Sequence, residues 1–86
     1  MHYTEIPAIT GFQLIRLLKE DGWKRGRYSN HGWTLSKKYP DKTRVTVIPV
    51  KKSSLIDKTL SLILSPKQTG IGKRGLLELL NKYGLS

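Results

Sequence analysis

The chain has 86 residues, 37% of them hydrophobic, and carries 16 Lys and Arg against six Asp and Glu, a formal net charge of +10. A chain this short builds one hydrophobic core, so it reads as a single domain over residues 1–86 with no room for a large buried substrate cavity. The absence of cysteine excludes disulfides and thiolate metal sites and fits a cytoplasmic protein. The charge excess points to a polyanionic partner, because basic side chains displace the counterions condensed on a phosphate backbone.

The N-terminal residues Met1-His2-Tyr3-Thr4-Glu5-Ile6-Pro7 lack the basic region and apolar run of a signal peptide. No stretch approaches the roughly 18 apolar residues of a membrane span, so no membrane partner is expected. Thr10-Gly11-Phe12-Gln13 has the spacing of a capping box, in which the Thr hydroxyl and the Gln side chain satisfy free amides at a helix start. Leu14, Ile15, Leu17 and Leu18 follow at helical spacing and Asp21-Gly22 supplies a stop, which predicts a first helix over residues 11–20.

From Trp23 to Pro49 the pattern becomes short runs holding aromatic and β-branched residues, broken by Ser29-Asn30 and by Tyr39-Pro40-Asp41-Lys42-Thr43. Both breaks have turn chemistry. Three strands are expected near 23–28, 31–38 and 44–49, joined as an antiparallel meander because the connections are too short for parallel crossovers. Leu55 to Leu64 then predicts a second helix closed by Pro66. Gly70-Ile71-Gly72-Lys73-Arg74-Gly75 reads as a Gly-rich turn, and Leu76, Leu77, Leu79, Leu80 and Tyr83 as the apolar stripe of a third helix that ends at Gly84. The expected fold class is α+β: helix, three-stranded antiparallel meander, helix, and an extra C-terminal helix. The order of the first five elements is that of the double-stranded-RNA-binding fold.

Two histidines and six acids offer no carboxylate pair, no Ser-His-Asp set and no cluster of metal ligands, so neither metal nor cofactor is expected. The Gly-rich turn lacks the spacing and the Ser or Thr of a nucleotide P-loop. Its setting between two helices resembles the Gly-Ile-Gly turn of helix-hairpin-helix modules, whose amides bind DNA phosphates. Along the first two strands Arg25 and Arg27 share one parity, Lys24 has the other, and Lys37 and Lys38 end the second strand. Arg27 is the preferred phosphate clamp, since its planar fork suits bidentate contact; a solvated strand charge is the plain alternative. Ser29 can bond a phosphate or simply form the turn. Trp33 can stack on a base, but its parity with Leu35 favours the core, and Trp23 reads as core too.

Certain residues carry a family resemblance. Leu14-Ile15-Arg16-Leu17-Leu18-Lys19-Glu20-Asp21-Gly22-Trp23 is similar to the opening helix and Gly-Trp of the HicA (YcfA-like) toxin family. Ser29-Asn30-His31 falls where that family keeps its Ser-His or Ser-Asn-His, and Arg44-Val45-Thr46-Val47 resembles its third strand. Lys58-Thr59-Leu60, Ile63-Leu64 and Gln68-Thr69-Gly70-Ile71 resemble its closing elements. The match covers residues 9–71, leaving 72–86 as a C-terminal extension. It departs at Tyr28, where the family usually has Gly, and at Pro66-Lys67, which looks like an insertion.

The resemblance implies a toxin that cleaves mRNA without metal and is neutralised by a HicB-type antitoxin protein. It also implies that His31 is the catalytic residue, with Arg25, Arg27, Ser29, Lys37 and Lys38 as its RNA-contacting surroundings. Imidazole suits the task because both protonation states are accessible near neutrality. Strand alternation speaks otherwise, grouping His31 with Trp33 and Leu35 on the inward side. A non-catalytic RNA- or DNA-binding domain on the same fold is the alternative.

Overall fold

The computed structural model describes residues 3–85. Helix α1 (Gly11–Glu20) is followed by strands β1 (Lys24–Ser29), β2 (Gly32–Lys38) and β3 (Thr43–Ile48), then helices α2 (Asp57–Leu64) and α3 (Gly72–Tyr83). The strands form one antiparallel sheet in the order β1-β2-β3. The chain is therefore a small α+β protein, and no helix among the described residues is long and apolar enough to cross a membrane.

Helix α1 occupies the span its pattern predicts, and its ends show why. Gln13 N–H donates to Thr10 Oγ1 at 3.2 Å while Thr10 N–H donates to Gln13 Oε1 at 2.9 Å, a reciprocal capping box. At the other end Gly22 takes φ +98, its N–H bonding Lys19 O and the Trp23 N–H bonding Leu18 O. This is the paired closure that turns a helix sharply and brings the next apolar residue back over it. Trp23 is buried as a result, beside Leu14, Ile15, Leu17 and Leu18.

Leu35 and Ile48 are fully buried on one face of the sheet, and Thr46, paired with Leu35, lies with them. Val45 and Val47, of opposite parity, stay exposed, so one face carries the core and the other is open. Helices α1 and α2 lie against the sheet and α3 packs across both helices. Leu76, Leu79 and Leu80 of α3 are buried in the same core, and Asn81 bonds the backbone of Tyr3 in both directions. Residues 72–83 thus complete the core rather than trail from it.

Helix α3 begins a turn earlier than its Leu stripe suggests. The Gly75 N–H reaches Ile71 O at 3.1 Å, so Gly72, Lys73, Arg74 and Gly75 form its first turn and not a separate Gly-rich loop. The α2–α3 connection is bolted to β3. Arg44 Nη1 donates to Pro66 O at 2.6 Å and to Gln68 O at 3.3 Å, and Thr46 Oγ1 bonds Gln68 Oε1. Buried Thr69 donates its hydroxyl to Ile63 O at 2.7 Å.

Candidate nucleic-acid interface

The β1–β2 hairpin is basic throughout. Residues 22–40 hold five Lys and Arg and no acid. Ser29 and Gly32 pair across the ladder, leaving Asn30 and His31 as a two-residue turn, so His31 is not the first residue of β2. It is exposed, and the inward placement that alternation suggests does not hold, because a residue in the turn lies beyond the pleat that would set its side. Ser29 builds this turn: its Oγ accepts the His31 N–H at 3.2 Å and donates to Gly32 O at 3.3 Å. The imidazole itself makes no hydrogen bond among the described residues.

Strand β1 also departs from simple alternation. Arg25 pairs with Leu35 and Tyr28 with Trp33, with the register slipping between them, so Gly26 and Arg27 together oppose one residue of β2. This β-bulge brings Arg25 and Tyr28, three residues apart, onto one face, and it breaks the shared parity expected of Arg25 and Arg27. A glycine inside a strand pattern is the one signal in the sequence that marks such a bulge.

The consequence is a cluster that strand periodicity does not foresee. The Arg25 guanidinium lies 4.4 Å from the centre of the Trp33 ring. Tyr28 meets Trp33 edge-on, with centroids 5.1 Å apart and planes at 64°. Trp33 is half-buried and packed against the core, which anchors the cluster, whereas Tyr28 is 59% exposed. Trp33 is therefore neither wholly core nor free for a ligand.

The other basic residues divide by use. Lys37 Nζ bonds Asp21 O at 2.6 Å and pairs with Asp21 Oδ2 at 3.3 Å, so it serves the C-terminal end of α1. Arg44 is committed to the α2–α3 connection. Arg27 and Lys38 are exposed, and their side chains bond nothing among the described residues. At the Gly70-Ile71-Gly72 turn the Gly70 N–H is taken by Ser65 O at 2.8 Å, and the Arg44 guanidinium lies 2.8 Å from where a Gly70 Cβ would stand. No group of three His, Cys, Asp or Glu side chains converges among the described residues.

Compared with protein-family models, with curated proteins and with solved structures, the chain matches none. The class that fold and surface define is a small basic α+β protein with an exposed histidine at the tip of an acid-free hairpin.

Proposed function

We propose that the protein is a HicA-like toxin on a double-stranded-RNA-binding-like fold, an endoribonuclease that cleaves mRNA with His31 as general acid or base and is held in check by a HicB-type antitoxin protein in the cytoplasm. The observation that carries this reading is the exposed His31, with Ser29 fixing its backbone, at the tip of a hairpin with five basic residues and no acid.

Cleavage needs the ribose 2′ oxygen to attack the adjacent phosphorus while the bond to the 5′ oxygen breaks, leaving a cyclic phosphate and a free 5′ hydroxyl. His31 takes the 2′ proton or delivers one to the departing oxygen, and water handles the other transfer. Positioned proton transfer of this kind contributes about 10²- to 10⁴-fold in rate, enough for a slow toxin. Arg27 neutralises charge gathering on the phosphorane, Arg25 holds an adjoining phosphate, Lys38 grips the backbone further along at the far end of β2, and Ser29 sets the turn. Lys37, held by Asp21, makes no phosphate contact. No metal or cofactor enters this chemistry.

One observation favours a second reading, a non-catalytic RNA binder: the His31 ring has no described partner to orient it, where catalytic imidazoles are usually held. The experiment incubates the protein with a long RNA in the presence of chelator beside a His31→Ala variant. Cutting by the parent and not by the variant supports the nuclease. Equal gel shifts with no cutting by either protein leave only the binder.

A further inference from the structure

Tyr28 is a large aromatic ring with no core to fill, held at a fixed place on a hairpin that carries five Lys and Arg and no acid. Its edge-on contact with Trp33, 5.1 Å between centroids, restrains the ring, and Trp33 is itself anchored in the core. More than half of Tyr28 faces solvent. Trp33 cannot offer the same surface, since it is half-buried and Arg25 covers its ring at 4.4 Å. Tyr28 pairs with Trp33 one rung behind the Ser29–Gly32 pair that closes the turn, about 3.3 Å along the strand. Only Ser29 and Asn30 separate it from His31, so their Cα atoms lie within about 11 Å, roughly the span of a nucleotide or two.

We propose that Tyr28 is a base-stacking platform, so that the RNA taken at the His31 turn is single-stranded there, with one unpaired base on Tyr28 and the adjoining phosphate against Arg25. This deepens the RNA-binding part of the reading above and rests on it. Charge selects the class of partner, because an acid-free basic hairpin favours a phosphate backbone. The ring selects its form. In an A-form duplex each base is stacked and paired, and only a splayed base can lie on a protein aromatic. Stacking is tolerant of sequence because every base has a π-face. Trp33 touches both the guanidinium of Arg25 and the ring of Tyr28, so the base and phosphate contacts are pre-set as one unit.

The test uses the full chain carrying His31→Ala, so that bound RNA stays whole. Fluorescence anisotropy at one fixed salt concentration compares a short unstructured RNA with the same strand annealed to its complement. Tyr28→Ala weakens single-strand binding roughly 5- to 150-fold, the effect of losing one base–aromatic stack, and leaves duplex binding within about twofold. Tyr28→Phe keeps the ring and keeps the affinity. Thermal melts of both variants confirm that each is folded. Single-strand affinity unchanged by Tyr28→Ala, or reduced equally by Tyr28→Phe, overturns the proposal. If the parent cuts no RNA while Tyr28-dependent binding persists, the nuclease reading falls and the platform stands; if no RNA binds at all, both fall.

Discussion

Replacing Gly32 by alanine strikes the turn that carries His31 and the exit of β3 in one substitution. Gly32 has φ +133, a backbone state that a side chain makes costly by about 1–3 kcal/mol. A Cβ there would overlap the Ile48 carbonyl oxygen and stand 2.6 Å from the Ile48 carbonyl carbon and 2.8 Å from Pro49 Cα. All three are backbone atoms at the end of a central ladder, so no rotamer change relieves them, and overpacking of this kind adds about 1–3 kcal/mol. The sum, about 4 kcal/mol at mid-range, is large against the roughly 4–13 kcal/mol that a domain of this size holds. For such a domain each kcal/mol shifts the melting temperature by about 4–8 °C, so Gly32→Ala lowers it by about 15–30 °C. Circular dichroism melts measure this, with Gly26→Ala as the companion on the same hairpin. A Cβ at Gly26 meets nothing nearer than Thr34 O at 3.5 Å, and that variant melts close to the parent. A Gly32→Ala melt within about 4 °C of the parent, which corresponds to no more than 1 kcal/mol, would refute the claim that this turn is sterically locked to β3.

Leu80→Ala, at a fully buried position of α3, costs about 2–5 kcal/mol in urea titration; a cost below 1 kcal/mol means that α3 is not part of the core. Thr10→Ala removes the capping hydroxyl and lowers stability by about 1 kcal/mol, read by the same titration. Single-strand RNA affinity falls with salt, with a logarithmic slope of about −0.7 per phosphate contacted. Arg27→Gln and Lys38→Ala each make that slope shallower, whereas Lys37→Ala leaves it unchanged and costs up to about 1 kcal/mol of stability, because its partner is the half-exposed Asp21.

The helices were legible because their signals are local. Capping at Thr10 and Gln13, the apolar spacing of Leu14, Ile15, Leu17 and Leu18, and closure at Gly22 all lie within a few residues of the bonds they form. The meander was legible for the same reason, as turn residues and strand lengths are read along the chain. The details of the hairpin were not. One extra residue at the bulge beside Gly26 inverts the parity of everything before it, and Asn30-His31 becomes a two-residue turn only because Ser29 finds its partner in Gly32. The uses of Lys37 and Arg44 were hidden too, since Asp21 and Pro66 lie 16 and 22 residues away from them. The start of α3 is not legible either, because glycines signal a loop locally, whereas the Ile71–Gly75 bond draws them into the helix.

The separation of used from unused cations bears on how the hairpin is to be understood. A net charge of +10 repels itself, and a chain selected for stability alone gains by distributing its acids among its bases. Here Lys37 and Arg44 are committed to carbonyls and a carboxylate of other elements, so their charge is a structural expense already met. Arg25, Arg27 and Lys38 have no such ties to acids, and no acid lies within residues 22–40 to compensate them. The same hairpin leaves Tyr28 in solvent although Trp33, on the adjacent strand, is half-buried against the core. Unpaired cations and an exposed ring therefore meet on one hairpin while α1, α2 and α3 supply the compact core against which it packs. That distribution is what a binding surface requires, because charge and ring can be spent on a polyanion only if the fold has not already consumed them.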